Sequence, residues 1–558
     1  MTTGQPTHGK TAHRIQELTL FLVIIGVAAL ILLRQLTDPS LGYPDADRLL
    51  MDGVFFRDFF VDLPLLHPYD YVTSYYGQYP ALSIGYRPPL FPFVEGLFNL
   101  VLGVETWSSR LALFTFALGG LAAFYLILRR TFDVATATAG ALLLVTTPFF
   151  AEFGWYTMGE IPLVSMSLIT AYFFHRYMTA GRTLDLGLTA TALVLALYTK
   201  QTALFLALWI LIYTVGAGRA LGQLKQKRVW ITAILAVVAA LPLLAITLWL
   251  ADQNIAQSVG TGGAVNLDTR LQTSRLLTLP RQLYELHLTL PTLVLALAGF
   301  AWALARRDRR LWFWASLIVA VYLFFTYLMN LNARYPIVWI PAFCALAAMP
   351  IGLARPGGRL RTALIAILAA IVLYQVWAVY QRTPKFATGY DEAAAYVIEH
   401  SESPTVFFDG YNNGYFTYFM RALDPKRSMW VLRGDKLLTS TSIGGSRRLE
   451  VHIDDPAGID SLFDRFGPQF IVVESRNTIG LPAHATLREH LSSSPNFVLR
   501  ETIPVNTGNP STREPLQDLD LLVYERVNRP PATGGVLELH LPVVGQTLEI
   551  PLRDIGSR

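Results

Sequence analysis

Charged residues and cysteine are both scarce in this chain of 558 residues. Asp, Glu, Lys and Arg make up 15 % of the sequence, whereas a water-soluble domain usually contains about a quarter of such residues. The single cysteine, Cys344, excludes an internal disulfide and a cysteine-based zinc site. Hydrophobic residues reach 53 % and aromatic residues 12 %, which excludes a disordered chain. The composition therefore predicts a membrane protein with many spans rather than a soluble enzyme.

Apolar segments long enough to cross a membrane recur between residues 17 and 381. A membrane helix needs about 20 mostly apolar residues, because lipid cannot satisfy exposed backbone groups. Eleven segments fit this description: 17–34, 107–128, 134–150, 159–178, 184–199, 202–218, 229–250, 288–305, 311–329, 335–353 and 362–381. The stretch 88–103 is also apolar, but its three prolines and Glu95 predict that it lies on the outer membrane interface.

Lysine and arginine residues are concentrated in alternate short connections between these segments. The runs Arg129-Arg130 and Lys227-Arg228, together with four arginines between positions 306 and 310, fall on the same side of the predicted bundle. Membrane proteins place such residues on the cytoplasmic side. The pattern predicts a cytoplasmic N-terminus, and it explains the net charge of +5 without any binding of nucleic acid.

The character of the sequence changes after residue 384, where charges and prolines return and apolar runs shorten to the length of a strand. Runs such as Val406–Phe408 and Phe470–Val473 alternate with helix-like stretches. The sequence therefore predicts two parts. Residues 1–384 form a polytopic α-helical membrane domain of about eleven helices, and residues 385–558 form a small extracytoplasmic α/β domain.

The first outer loop, residues 35–106, contains several candidate functional residues. Asp45 and Asp47 follow the first span closely, at a depth where polar groups are costly and indicate a function. A carboxylate at the lipid–water boundary could act there as a general base. Further acidic residues share one face of a predicted helix, and we expect that face to contact water. These residues are Asp52, Asp58 and Asp62.

Other charged residues occur at the outer ends of later spans. Arg87 precedes two prolines among several tyrosines, where a fixed cation either binds a lipid phosphate or anchors the chain at the interface. Glu160 begins the fourth span, where a carboxylate gains from the helix dipole. Lys200 and Arg334 mark the outer ends of two further spans. Taken alone, Lys200 and Arg334 could each be a turn residue or a snorkelling side chain, and Glu160 could be a simple charge at a helix N-terminus.

Taken in order along the chain, these residues resemble the pattern of the GT-C superfamily of membrane glycosyltransferases. The similarity extends to the protein O-mannosyltransferases and to the aminoarabinose transferases that modify lipid A. The matching elements are an acidic residue after the first span, a basic residue before paired prolines, a carboxylate opening the fourth span, and two short motifs. In this chain they are Asp45, Arg87-Pro88-Pro89, Glu160, Lys200-Gln201-Thr202 and Arg334-Tyr335-Pro336.

This resemblance, which covers about residues 15–380, implies an activity and a location. The donor would be a polyprenyl-phosphate sugar and the acceptor an extracytoplasmic protein, lipid or glycan. The protein would lie in the plasma (inner) membrane of a bacterial-type cell.

The resemblance also implies roles for individual residues. Asp45 would be the general base, with Asp47 as the alternative because this chain has Ala46 where many relatives have Glu. Glu160 would be the second carboxylate, in place of the more usual Asp. Arg87 would bind the donor phosphate, and Lys200 and Arg334 are further candidates for that phosphate.

The predicted reaction requires no cofactor. An acceptor hydroxyl attacks the anomeric carbon while a carboxylate takes its proton, which predicts inversion at that carbon. The bond to the lipid phosphate is already activated, so neither a nucleotide nor a metal is required, although Asp45 and Asp47 leave a divalent metal open. An envelope polysaccharide polymerase or ligase, and a lipid-linked sugar flippase or transporter, remain as alternatives. The transferase hypothesis requires Asp45, Arg87 and Glu160 to converge on one outer cavity.

Overall fold

The structure is a computed structural model, and it divides into a helical part and a part that contains strands. It describes residues 8–38, 40–42, 45–249, 272–328, 331–441, 449–508, 518–530, 532, 535–541 and 546–551. Helices make up most of the chain as far as Gln381, and the first strand of the described residues begins at Phe386. This change falls close to the predicted boundary at residue 384.

Seventeen helices precede the first strand in the described residues. They are α1 (His8–Leu32), α2 (Ala46–Asp62), α3 (Pro68–Gln78), α4 (Leu90–Leu102), α5 (Thr106–Thr131), α6 (Val134–Thr146), α7 (Pro148–Phe153), α8 (Glu160–Ala180), α9 (Thr183–Thr199), α10 (Phe205–Gly216), α11 (Ala220–Leu224), α12 (Lys227–Trp249), α13 (Thr273–Gln282), α14 (Leu290–Ala305), α15 (Leu311–Leu323), α16 (Ile340–Leu353) and α17 (Arg359–Gln381). Short 3₁₀ turns precede α10 and α16, and a π-helical turn follows α13 and α15.

Each predicted span coincides with one or two of these helices. Five segments are both long and apolar enough to cross a membrane by themselves: Arg14–Leu32, Thr106–Thr131, Lys227–Trp249, Tyr335–Leu353 and Arg359–Gln381. Six further apolar segments of the described residues are shorter, with 10 to 17 residues, and α8, with 21 residues, belongs to neither group. The stretch 88–103 forms α4, whose 13 residues extend over about 20 Å. This length is below the hydrocarbon thickness of about 30 Å.

Small residues allow the helices of the bundle to approach one another closely. A Cβ atom added at Gly120 of α5 would lie 2.7 Å from the Cα atom of Ser165 in α8. One added at Gly299 of α14 would lie 2.0 Å from the carbonyl oxygen of Leu346 in α16. Membrane helices are stabilised by this kind of close packing, because lipid supplies no hydrophobic driving force between them.

Helix α4 has two different faces. Its inner face packs on α2, where a Cβ atom at Gly96 would lie 2.6 Å from the Cβ atom of Phe56. Its other face exposes apolar side chains, among them Leu97 and Val101. An exposed apolar face on a short helix is typical of a segment that lies in the membrane interface.

The C-terminal part is built around a five-stranded mixed sheet with the strand order β3-β2-β6-β9-β7. Strands β2, β3 and β6 are parallel, whereas β9 pairs antiparallel with both β6 and β7. The bounds of the strands are β1 (Phe386–Ala387), β2 (Thr405–Asp409), β3 (Trp430–Arg433), β4 (Thr439–Thr441), β5 (Leu449–Val451), β6 (Phe470–Glu474), β7 (Phe497–Val505), β8 (Thr507–Gly508), β9 (Leu519–Arg526), β10 (Val536–Leu541) and β11 (Gln546–Pro551). The presence of strands in this part is confirmed.

Helices cover this sheet and complete its core. They are α18 (Tyr390–His400), α19 (Asn413–Leu423), α20 (Gly434–Leu437), α21 (Pro456–Phe466) and α22 (Pro482–Ser493). Strands β2 and β6 are buried along their whole length, which explains their continuous apolar sequences. Two apolar layers result, one on each face of the sheet.

The first loop is attached to the C-terminal part by a buried ion pair. Arg421 of α19 donates from Nη2 to Asp58 Oδ1 at 2.7 Å and from Nε to Asp58 Oδ2 at 2.9 Å. The hydroxyl of Tyr75 donates to the same carboxylate at 2.7 Å. Both members of the pair are buried, so the attachment is a desolvated, hydrogen-bonded network.

The expectation that the acidic face of α2 contacts water is therefore wrong for two of its residues. Asp58 is covered by Arg421 and Tyr75, and Asp52 accepts hydrogen bonds from the backbone N–H and the hydroxyl of Ser83. Both carboxylates are buried. Helical periodicity shows which residues share a face, but it does not show which distant segment covers that face.

Replacement of Arg421 by leucine should strongly destabilise the protein. Asp58 would lose its buried partner and keep only the partly exposed Arg57, whose Nη1 lies 2.7 Å from Asp58 Oδ1, and breaking a buried pair costs about 3–5 kcal/mol. Thermal unfolding of the purified full chain in detergent would measure the loss. Arg427→Leu is the matched control, because Arg427 pairs with Asp62 where both side chains are partly exposed and should lose less than about 1 kcal/mol. Equal losses in the two variants would contradict the prediction.

Candidate active site

One cavity lies where several helix ends of the bundle meet. It has a volume of about 130 Å³, and Asp45, Arg87, Glu160, Lys200 and Arg334 all line it. Asp45, Arg87 and Glu160 thus converge, as the transferase hypothesis requires. Five of the six candidate residues from the sequence meet here, although they are separated by up to 289 positions in the chain.

The positions of these residues explain why they meet. Asp45 directly precedes α2, and Glu160 is the first residue of α8. Lys200 caps the end of α9, and Arg334 precedes the 3₁₀ turn before α16. Arg87 lies before the two prolines that lead into α4. Four of these side chains therefore lie at or next to a helix end, and Arg87 lies in an isolated bridge with Ile84, three positions before α4.

Two arginines hold the carboxylate of Asp45. Arg87 donates from Nη2 to Asp45 Oδ1 at 2.7 Å, and Arg334 donates from Nη1 to Asp45 Oδ2 at 2.7 Å. Arg87 also donates from Nη1 to the backbone carbonyl of Asp45 at 2.8 Å. Burial alone would raise the pKa of Asp45, but the two guanidinium groups outweigh it and hold the pKa below its usual range. Asp45 is therefore ionised in this arrangement.

Glu160 forms the second half of the charged network. Lys200 Nζ lies 2.6 Å from Glu160 Oε1, and Arg334 Nε lies 3.6 Å from the same oxygen. Arg334 is thus placed between two carboxylates, Asp45 and Glu160. Burial alone would lower the pKa of Arg334, but the two carboxylates outweigh this effect and hold the pKa above its usual value. The guanidinium therefore stays charged.

An aromatic ring supports the two cations nearest Glu160. Lys200 Nζ lies 5.0 Å from the ring centroid of Tyr335, and Arg334 Cζ lies 5.4 Å from it. These distances fall within the range of cation–π attraction. Tyr335 therefore fixes both cations on one side of the cavity.

Asp47 does not line this cavity. Its carboxylate is buried against Gly414 of α19, where an added Cβ atom would lie 2.0 Å from Asp47 Oδ2. Burial raises the pKa of Asp47 to about 6. The carboxylates of Asp45 and Asp47 therefore face different surroundings, and only Asp45 faces the cavity. In the described residues no three His, Cys, Asp or Glu side chains gather as a metal-binding group.

The apolar part of the cavity wall was not predicted from the sequence. It includes Leu49, Phe91 and Met158. No local signal distinguishes these residues, because apolar side chains are common throughout the membrane part. His287 and Trp339, which are hydrogen-bonded to each other next to Arg334, were also not predicted, because no local sequence signal marks them.

Comparison with known proteins identifies the class of this fold. The sequence profile of a family described as dolichyl-phosphate-mannose-protein mannosyltransferase matches residues 86–246. This segment includes Arg87, Glu160 and Lys200. No protein of curated function matches the chain significantly.

Solved structures resemble nearly the whole chain. ArnT from Cupriavidus metallidurans in the apo state is 12 % identical with a TM-score of 0.56, and the match covers 90 % of this chain and 97 % of that one. ArnT bound to undecaprenyl phosphate is 13 % identical, with the same TM-score and coverage. The arabinofuranosyltransferase AftD from Mycobacteria is 13 % identical with a TM-score of 0.50, and the match covers 93 % of this chain and 40 % of AftD.

These findings confirm the resemblance to the GT-C superfamily. The chain has a GT-C fold, part of it matches the family of membrane mannosyltransferases, and five of its helices are long and apolar enough to cross a membrane. At such low identity, the structural matches establish the fold and do not transfer the substrates of the matched proteins.

Replacement of Lys200 by methionine should lower the stability of the folded protein. Glu160 would retain only the longer contact with Arg334, and we expect a loss of about 2 kcal/mol or more in the free energy of unfolding. Thermal unfolding in detergent would measure it. The double variant Lys200→Met/Glu160→Gln removes both charges and should recover part of this stability. A double variant less stable than Lys200→Met would contradict the prediction.

Proposed function

We propose that this protein transfers a sugar from a polyprenyl-phosphate donor to an acceptor hydroxyl on the extracytoplasmic side of the membrane. The observation that carries the proposal is the meeting of Asp45, Glu160 and three basic side chains in one cavity. A carboxylate base and a set of fixed cations are the groups that this reaction needs.

The charges of the cavity suit such a donor. Arg87, Lys200 and Arg334 oppose two carboxylates, which leaves one net positive charge. The phosphodiester of a polyprenyl-phosphate sugar carries one negative charge, so the bound complex is neutral. When the sugar leaves, the phosphate gains negative charge, and the same cations stabilise that charge more strongly than they stabilise the bound donor. The structure of ArnT with undecaprenyl phosphate shows that a protein of this fold accepts such a lipid.

Asp45 is best placed to serve as the general base. In the structure its carboxylate forms ion pairs with both Arg87 and Arg334. These ion pairs stabilise the ionised form, so Asp45 is a weak base here. A donor phosphate competes for the same two guanidinium groups and draws them away from Asp45. Loss of these contacts raises the pKa of Asp45, so the base becomes stronger once the donor is bound.

The reaction then proceeds by one displacement. The acceptor oxygen forms a bond to the anomeric carbon as its proton passes to Asp45. The bond between the anomeric carbon and the phosphate oxygen breaks, and polyprenyl phosphate leaves with the bonding electron pair. Attack from the face opposite the leaving group gives inversion. Glu160 keeps Lys200 and Arg334 in position, and no cofactor takes part in this scheme.

Eleven membrane crossings complete the proposed architecture. The eleven apolar segments would each cross once, with the N-terminus in the cytoplasm of a bacterial-type cell. Residues 385–558 would then lie outside the plasma membrane and contribute to recognition of the acceptor. Support comes from the distribution of Lys and Arg and from the contact between α19 and the first loop.

Replacement of Asp45 by asparagine should have opposite effects on sugar transfer and on binding of the lipid phosphate. Loss of the base should reduce transfer at least about 100-fold. The variant should nevertheless bind undecaprenyl phosphate about three to ten times more tightly, because Arg87 and Arg334 lose their internal anion. Transfer from radiolabelled polyprenyl-phosphate sugars and binding to the purified protein would measure the two effects.

Asp47→Asn is the matched control for this experiment, because Asp47 lies two positions away and outside the cavity. It should retain most of the transfer activity. Full activity in Asp45→Asn would remove Asp45 from the mechanism. Absence of both transfer and binding in the wild-type protein with every polyprenyl-phosphate donor would overturn the proposed function.

The membrane orientation can be tested with introduced cysteines, because the chain's single cysteine, Cys344, is buried. Ser492 of α22 and Gly222 of α11 are both exposed. A membrane-impermeant maleimide should label Ser492→Cys in intact cells, and it should label Gly222→Cys only after permeabilisation. The reverse pattern would contradict the proposed orientation.

A further inference from the structure

His287 is not one of the residues that line the cavity, but its ring contacts the backbone of Ala333, next to Arg334. It ends the π-helical turn Leu283–His287 and is fully buried. Its ring centroid lies 4.6 Å from that of Phe149 and 5.8 Å from that of Trp339. A polar ring in such apolar surroundings must have its nitrogen atoms hydrogen-bonded.

The two hydrogen bonds of His287 define its protonation. The indole Nε1–H of Trp339 donates to Nδ1 of His287 at 3.0 Å, so Nδ1 carries no proton. Nε2 lies 2.7 Å from the carbonyl oxygen of Ala333, an acceptor, so Nε2 must donate. Burial lowers the pKa of His287 to about 4, in agreement with a neutral ring. His287 is therefore held in the Nε2–H tautomer.

These bonds hold the chain on both sides of Arg334. Ala333 immediately precedes Arg334, and Trp339 ends the 3₁₀ turn that follows it. The imidazole of His287 is thus hydrogen-bonded to the chain on both sides of Arg334, whose guanidinium contacts Asp45 and Glu160. The backbone N–H groups of Arg334 and Tyr335 also form local hydrogen bonds, both to Asn332.

We propose that His287 is a positioning residue for Arg334. Its Nε2–H fixes the Ala333 carbonyl, and Trp339 keeps that proton on the correct nitrogen. The guanidinium of Arg334 is thereby held at the distance that lets it contact Asp45 and Glu160 together. The predicted effect on donor binding rests on the proposed function, whereas the tautomer and the placement of Arg334 do not.

Two substitutions of His287 distinguish the contribution of its hydrogen bond from the contribution of its side-chain volume. Glutamine places an amide N–H near the position of Nε2, whereas phenylalanine retains a ring without a donor. His287→Phe should weaken binding of undecaprenyl phosphate about tenfold, and His287→Gln should stay within about threefold of the wild-type protein. If His287 only fills space, His287→Phe should bind the lipid as well as His287→Gln does.

Trp339→Phe tests the tautomer. In ¹⁵N spectra of histidine-labelled protein, the wild-type His287 should show a protonated Nε2 and a hydrogen-bonded, unprotonated Nδ1. Trp339→Phe should shift the Nδ1 resonance and weaken lipid binding. Trp209→Phe is the control, because Trp209 is another buried tryptophan whose indole N–H donates elsewhere in the bundle, to Ser316. A protonated Nδ1 in the wild-type protein would overturn the proposal.

A measurement without lipid keeps the proposal distinct from the proposed function. The Nε–H resonance of Arg334 reports its ion pairs and should move in His287→Phe but not in His287→Gln. If the wild-type protein fails to bind any polyprenyl phosphate while this pattern is seen, the proposed function fails and the role of His287 stands. If lipid binds and Arg334 does not respond to either variant, the role of His287 fails and the proposed function stands.

Discussion

The contact of Arg334 with two carboxylates is the interaction on which the rest of the site depends. Glu160 is buried and Asp45 is partly buried, and without the guanidinium between them the two negative charges would repel each other. Lys200 and Arg87 neutralise the remaining charge from either side. Removal of one member leaves another charge without its partner. Separate helix ends must therefore meet accurately, and the close packing of the bundle serves that requirement.

The C-terminal part influences this site without lining it. Helix α19 covers the first loop, where Arg421 binds Asp58 and Gly414 lies against Asp47. Both contacts fall on α2, and Asp45 is the residue that precedes α2. The position of the proposed base is thus set partly by residues more than 350 positions away in the sequence. A protein that lost these contacts would keep its cavity residues but would hold Asp45 less firmly.

Much of this arrangement was predictable because it depends on local signals. Apolar runs located the membrane helices, and charges at their ends located five cavity residues. Two features were missed for physical reasons. Strand β7 was missed because its middle is exposed and contains the charged residues Arg500 and Glu501, so no apolar run marks it in the sequence. The burial of Asp52 and Asp58, and the bonds of His287, depend on partners distant in sequence, which periodicity cannot reveal. The predicted number of membrane crossings stays a prediction.

Under the proposed function, the two faces of α4 have a consequence for how a lipid donor reaches the cavity. Phe91 and Pro92, near the start of the helix, line the cavity, while Leu97 and Val101 further along are exposed. An isoprenoid tail running along this apolar surface would never leave an oily environment, whereas desorption into water costs about 0.8 kcal/mol for every methylene group. With the proposed donor, only the headgroup would have to be moved into the cavity, so long carriers would be no harder to use than short ones.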